Sequence, residues 1–163
     1  MTRNRVSILM LLAVAFLATF ALAAFGLPAF VPPAFVPKDE TLDQLVARAE
    51  SARPEDRPAL YIEIARQKAE AAHKLYDAGN AEAANTALLD VVAFSKKATD
   101  AAISTGKRLK NTEIALRKMA EKFRDIKRTV AFDDQAPIQQ AVDELEKMRT
   151  DLLSAMFGKK RSK

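Results

Sequence analysis

The side chains able to do chemistry are few and lie far apart along the sequence. His73 is the only histidine, with Glu70 three residues before it and Asp77 four after it, on one face of a predicted helix. A metal site with one imidazole and two carboxylates can be drawn there, but no second histidine and no cysteine is present to complete it. The spacing therefore favours a solvated or half-packed histidine over a metal ligand.

Two short motifs resemble parts of active sites but lack the rest of the machinery. Asp133 and Asp134 are adjacent carboxylates, yet they lie between two predicted helices, where capping of the second helix by Asp134 accounts for them. The run 105–107, Thr-Gly-Lys, resembles the end of a phosphate-binding loop without the upstream glycine or preceding strand. Because no nucleophile has a plausible base, the sequence predicts a protein that is not an enzyme and holds no cofactor.

The N-terminal residues have the pattern of an export signal. Two arginines within the first five residues precede an uncharged apolar run over 6–24, and Ala21 and Ala23 supply small residues at the −3 and −1 positions of a cleavage site. We expect a signal peptide over residues 1–23; the alternative is an uncleaved anchor to about residue 25, because about 20 apolar residues cross a bilayer. Either reading predicts an exported, periplasmic or envelope-associated body, or one held outside the cytoplasm by a single-pass inner-membrane anchor.

The remainder divides into a linker, a helical domain and a tail. Residues 24–38 are rich in proline and phenylalanine, and Pro-Ala-Phe-Val-Pro occurs twice, which favours an extended chain. We interpret this segment as a spacer, or alternatively as an apolar ligand for a groove. A helical bundle is predicted over residues 39–157, followed by a basic disordered tail over 158–163.

The composition after residue 38 predicts an all-α fold. Alanine, leucine, glutamate, lysine and arginine dominate, and apolar residues recur at helical spacing. A short helix is expected over 41–50, a second over 58–78, and a last one over 136–157. Gly79 is expected to end the second helix, because glycine adopts the left-handed conformation that closes helices.

Residues 81–130 keep one heptad phase throughout. Position a holds Ala81, Leu88, Ser95, Ala102, Leu109, Leu116, Phe123 and Val130, and position d holds Ala84, Val91, Ala98, Thr105, Thr112, Met119 and Ile126. The unbroken phase favours one long central helix over 81–130, with coiled-coil-like hairpins forming an antiparallel helical bundle around it. The alternative is a compact four-helix bundle broken at Gly106.

Two surfaces of the bundle are candidates for binding. A seam of small residues is predicted to admit another helix, from a second copy or a partner protein: Ser95, Ala98, Ala102 and Thr105. A basic stretch over 107–128 is the candidate anion-binding surface, through Lys107, Arg108, Lys110, Lys118, Lys122 and Arg124.

These surfaces lead to two functional expectations. The first is a non-enzymatic interaction or scaffold protein in a bacterial cell envelope, with membrane contact through the N-terminal segment. The alternative is a module that binds polyanions or lipid headgroups through the basic helix and the tail. The absence of tryptophan and the presence of only two tyrosines argue against nucleic acid as the partner.

One predicted hairpin resembles a known repeat. Residues 75–84, Leu-Tyr-Asp-Ala-Gly-Asn-Ala-Glu-Ala-Ala, followed by Leu88, are similar to the inter-helix turn of a tetratricopeptide repeat. The likeness rests on Gly79 and Ala84 and covers about residues 62–95. It implies a helical hairpin and peptide or protein binding, without identifying the residues that contact a ligand. No second copy follows at the 34-residue period, so a solenoid is not expected.

Overall fold

A computed structural model of the chain describes residues 40–158, and within that range all of the regular structure is helical. The elements are α1 (Leu42–Ser51), α2 (Arg57–Asp77), α3 (Ala81–Thr105), α4 (Leu109–Thr129), a 3-10 turn (Phe132–Asp134) and α5 (Gln135–Phe157). The all-α prediction is confirmed. The export signal with Ala21 and Ala23, the linker and the basic residues after 158 lie outside the described residues.

The helix ends follow local signals in the sequence. α1 begins with a capping box, in which the Thr41 hydroxyl accepts from the Gln44 backbone N–H at 3.3 Å and the Gln44 side chain accepts from the Thr41 N–H at 3.0 Å. α2 ends where Gly79 takes a positive φ of 73°, and the Asn80 side chain then caps α3. Asp134 is the N-cap residue of α5, as expected, although its carboxylate makes no capping hydrogen bond.

The chain turns at Gly106, so the prediction of one continuous helix over residues 81–130 is wrong and the alternative break is confirmed. α3 stops at Thr105, Gly106 has a φ of 66°, and Arg108 has a φ of 59° immediately before α4. Two left-handed residues within three positions reverse the chain direction.

The heptad pattern failed to reveal this turn because each helix buries its own apolar stripe. A short loop places no constraint on the phase of the helix that follows, so an unbroken phase is compatible with a turn. Most of the a and d residues are nevertheless buried, including Leu88 and Val91 on α3 and Leu116 and Phe123 on α4.

α2 and α3 form an antiparallel hairpin. Lys68 on α2 pairs with Asp90 on α3 at 2.7 Å, whereas Tyr76, later on α2, donates to the earlier Asn85 at 2.6 Å. Burial, together with the nearby charge of Asp134, raises the pKa of Tyr76 to about 12. The packing of α2 along α3 is therefore one antiparallel hairpin of the kind predicted for the bundle.

α4 and α5 form a second antiparallel hairpin, and the two hairpins lie side by side in the same direction. α2 is parallel to α4, because Asp56 contacts Arg108 at 3.9 Å and Glu70 pairs with Lys122 further along both helices. Since each hairpin is antiparallel, α3 is parallel to α5, with which it also packs. Two of the contacting helix pairs, α2/α4 and α3/α5, are therefore parallel.

The interior of the bundle differs between the hairpins. Buried positions of α2 and α3 are largely small, among them Ala65, Ala69, Ala72, Ala84, Ala87, Ala98 and Ala102. Those of α4 and α5 include larger side chains, among them Leu116, Phe123, Ile138, Leu145 and Leu152. No helix within residues 40–158 is long and apolar enough to cross a membrane.

Candidate functional site

The seam predicted to bind another helix lies inside the bundle. Ser95, Ala98 and Ala102 are completely buried, and Thr105 is half-buried at the end of α3. Because α4 folds back instead of continuing α3, this face of α3 packs against the helices of its own chain. The seam is therefore part of the interior and offers no surface to a partner in this conformation.

Two hydroxyl groups near the middle of α3 lack hydrogen-bond partners. Ser95 Oγ and Thr99 Oγ1 are buried, one helical turn apart, and neither makes a hydrogen bond within residues 40–158. A buried hydroxyl without a partner costs about 1–3 kcal/mol. The centre of α3 therefore contributes less to the stability of the fold than an all-apolar helix face would.

Two of the six predicted anion-binding residues hold helices together. Arg124 donates to Glu146 on α5 at 2.7 Å, and Lys122 reaches across to Glu70 on α2. The hydrogen bond from Lys122 holds the pKa of the Glu70 carboxyl below its ordinary value. Both cations are already neutralised by acidic side chains of the neighbouring helices.

The other four candidates are exposed. Lys107, Lys110 and Lys118 make no ion pair within the described part of the chain, and Arg108 reaches a carboxylate only at 3.9 Å. Three of the four lie within four positions at the start of α4, whereas Lys118 lies more than two turns further along. Among the six candidates, the positive charge without a close carboxylate is therefore concentrated at the start of α4.

Arg149 links the two helices of the second hairpin, α4 and α5. Its Nε and Nη2 donate to Glu113 on α4 at 3.0 and 2.8 Å, and its Nη1 donates to Glu146 at 2.6 Å. Although partial burial raises the pKa of Glu146, the hydrogen bond from Arg124 and the charge of Arg149 bring it below its ordinary value. These residues form an ion-pair network between α4 and α5.

A cleft of about 330 Å³ opens between the beginnings of the parallel helices α2 and α4. Its apolar lining includes Pro58, Ile62 and Ile114, and its polar lining includes Arg66, Arg108 and Asn111. The basic run along the sequence indicates Arg108 but not Arg66, because Arg66 lies on α2 and joins the basic start of α4 only through the parallel packing of the two helices.

A groove of about 200 Å³ lies between the other parallel pair, α3 and α5. Its wall is formed by Leu88, Leu89, Val92, Pro137 and Ala141, and its rim by Asn85, Gln140 and Glu144. Leu89 is 70 % exposed. Leu89 is not among the residues predicted to form a site. Its position gave a usable signal, because it directly follows the a position Leu88 and the next heptad position faces outward.

Acidic residues dominate the segments that form the groove. Residues 81–95 contain Glu82 and Asp90, and residues 131–146 contain five more acidic side chains, whereas neither segment contains lysine or arginine. Asp90 and Glu146 are paired with cations of other helices. The remaining acids, among them Glu144 on the rim, give these two segments a net negative charge.

The histidine considered as a metal ligand makes a simple local pair. His73 Nε2 lies 3.5 Å from Asp77 Oδ2, one turn along α2, while Glu70 is engaged by Lys122. Within residues 40–158, no group of three or more histidine or carboxylate side chains is arranged to hold a metal ion.

Comparison with known proteins identifies no relative of this chain. No family model, curated protein or solved structure matches it at a significant level.

Proposed function

We propose that this chain is a non-enzymatic interaction protein, exported or membrane-tethered, that binds a basic amphipathic helix of a partner protein in the α3/α5 groove. The observation that carries the proposal is Leu89, an apolar side chain 70 % exposed on the wall of an apolar groove. Complete burial of a leucine side chain is worth about 1.5–3 kcal/mol. A partner that covers Leu89 therefore gains binding energy from this one contact.

The shape of the groove favours a helix as the occupant. Two parallel helices leave a furrow between them, and the apolar ridge formed by every third or fourth residue of another helix fits such a furrow. Leu89 and Val92 are three residues apart and form one side of the furrow. The opposite side is formed by Pro137 and Ala141.

The charge around the groove favours a basic occupant. Glu144 lies on the rim, and the segments on both sides carry acidic residues without a lysine or arginine. Opposite charges at the edge of an interface accelerate association and exclude partners of the wrong sign. Lysine or arginine beside the apolar ridge of the partner helix supplies that complement.

The test uses the full chain and a fluorescent helical peptide of leucine and lysine, with binding followed by fluorescence anisotropy. We expect Leu89→Glu to weaken binding by about tenfold or more, since a tenfold loss corresponds to about 1.4 kcal/mol. Phe157→Glu is the matched control, because Phe157 is 62 % exposed at the far end of α5 and does not line the groove.

A second peptide with every lysine replaced by glutamate tests the charge. Equal binding of the two peptides contradicts the proposed basic partner. An equal loss of affinity in the Leu89→Glu and Phe157→Glu variants contradicts the groove as the binding site. A photo-crosslinker at position 89 in cells then identifies the natural partner. Light scattering of the full chain shows whether a second copy is the occupant, which would contradict a partner of different sequence.

The exposed lysines favour a second candidate function, binding of an anionic polymer or membrane surface. Lys107, Lys110 and Lys118 make no ion pair within the described chain, and the tail adds further basic residues. We expect retention on heparin that falls steeply with salt and is reduced when these three lysines are replaced by glutamate. Unchanged retention would exclude the candidate.

The proposed location is supported by the charge-free run over residues 6–24 and by the small residues at Ala21 and Ala23. N-terminal sequencing of the protein from fractionated cells tests it. A start at Ala24 identifies a free exported protein, and an intact Met1 in the membrane fraction identifies a tethered one. An intact Met1 in the cytoplasmic fraction would contradict both.

A further inference from the structure

The start of α4 gathers positive charge where a helix tolerates it least. Lys107, Arg108 and Lys110 surround the first turn, which contains no acidic residue, and the N-cap residue Arg108 makes no side-chain capping hydrogen bond. A helix N-terminus itself carries about half a positive charge, from N–H groups without helical partners. Anions stabilise such an end, whereas cations destabilise it.

Arg66 on α2 adds a second guanidinium to the same cleft. It makes no ion pair within residues 40–158, and the nearest acidic partner of Arg108 is Asp56 at 3.9 Å. The Oδ2 atom of Asp56 already accepts two hydrogen bonds from Arg53, at 2.9 and 3.1 Å. Both guanidinium groups in the cleft therefore retain donors for a ligand.

The cleft also contains a buried polar group and an apolar surface. Thr112 is 2 % exposed and lines the cleft, and its hydroxyl makes no hydrogen bond within the described chain. Pro58, Ile62 and Ile114 supply the apolar lining. A volume of about 330 Å³ is at the lower end of the range of small-molecule sites, about 300–1,000 Å³.

We propose that the α2/α4 cleft binds a phosphate monoester that carries a short apolar group. At neutral pH such a phosphate has a charge between about −1.5 and −2, which balances Arg66 and Arg108, whereas a carboxylate balances only one of them. Guanidinium groups bind phosphate oxygens through paired hydrogen bonds, and the free N–H groups at the start of α4 supply more donors. The apolar lining accommodates the group attached to the phosphate.

The test is calorimetric titration of the full chain with phenyl phosphate. We expect Arg66→Gln and Arg108→Asn each to weaken binding by about tenfold or more, because each substitution removes a charged donor of paired hydrogen bonds to the phosphate. Lys118→Gln is the matched control, since it removes an exposed positive charge of the same helix outside the cleft.

Arg108→Asn also separates binding from folding. Asparagine tolerates the positive φ of position 108 better than arginine does, and the substitution removes a cation from a helix N-terminus. We therefore expect a melting temperature equal to or higher than that of the unmodified chain, together with the loss of phosphate binding. Leu89→Glu should leave the affinity for phenyl phosphate unchanged, since that residue belongs to the other groove.

The outcomes also identify the source of the phosphate. Co-sedimentation with phosphatidic acid vesicles that falls in both arginine variants identifies a lipid headgroup, and variant-sensitive binding of phenyl phosphate alone identifies a soluble ligand. Benzoate binding as tightly as phenyl phosphate would overturn the assignment to phosphate. The site would be overturned if the chain bound neither phenyl phosphate nor the vesicles. It would also be overturned if both arginine variants bound them as tightly as the unmodified chain does.

Discussion

The two hairpins of this bundle bury different kinds of interior. α2 and α3 make the most extensive helix contact in the described chain, through small side chains such as Ala69 and Ala98, which permit a close approach of the backbones. α4 and α5 pack around Phe123 and Leu145 and are linked by Arg149. Similar hairpins can therefore be held by a close backbone approach in one case and by large buried side chains in the other, although ion pairs cross both.

The largest expected effect is on the stability of the α4/α5 hairpin, which is packed with large side chains. Phe123→Ala removes a completely buried ring between α4 and its neighbours, and we expect the free energy of unfolding to fall by about 3–5 kcal/mol. Phe132→Ala is the control, because Phe132 is 85 % exposed and its truncation should change stability by less than about 0.5 kcal/mol. Equal effects of the two substitutions in urea unfolding would contradict the role of Phe123 as a core residue of the α4/α5 hairpin.

A smaller effect is expected from the ion-pair network of the second hairpin. Glu146→Gln removes the charge that Arg124 and Arg149 share, and at pH 7 we expect a loss of about 1–2 kcal/mol. The folded-state pKa of Glu146 lies below its ordinary value of 4.5. Its contribution is therefore complete above that value and disappears as the pH falls through the folded-state pKa.

Urea unfolding of both proteins across the acidic range measures this dependence. The stability difference between the unmodified chain and Glu146→Gln should shrink with falling pH. A difference that stays constant down to pH values well below 4.5 would show that the carboxylate charge does not stabilise the α4/α5 hairpin.

The smallest expected effect is a gain of stability in the first hairpin. Ser95→Ala removes a buried hydroxyl without a hydrogen-bond partner, so the free energy of unfolding should rise by about 1 kcal/mol. Ser104→Ala is the control for helix propensity, because Ser104 is exposed on the same helix and bonds the Ala101 carbonyl. A loss of stability in Ser95→Ala alone would mean that its hydroxyl has a partner in solution.

The depressions between the hairpins differ as much as the interiors do. The α2/α4 cleft contains two arginines and adjoins an uncapped helix N-terminus, whereas the α3/α5 groove is apolar with acidic residues around it. Both arise from the same parallel pairing of helices. The opposite charges of the two depressions therefore come from their side chains, since the helix topology around them is the same.

Local features of the fold are predictable from the sequence because they depend on neighbouring residues. The capping box at Thr41 and the left-handed Gly79 act within one helical turn, and both mark helix ends correctly. The buried side of each helix also follows from spacing, as Leu116 and Phe123 show. The turn at Gly106 was predictable only as an alternative, because heptad phase carries no information about a loop that happens to preserve it.

Which residues come together in the candidate sites depends far more on tertiary structure than the helix ends do. The sequence by itself determined the helical class, most helix ends and which residues are basic or apolar, since these follow from propensity, capping and periodicity. Only the packing of the hairpins decided that the Ser95 seam is buried, that Lys122 is paired, and that Arg66 shares a cleft with Arg108. The physical reason is distance along the chain: Glu70 and Lys122 are 52 residues apart, and no local pattern specifies that they meet.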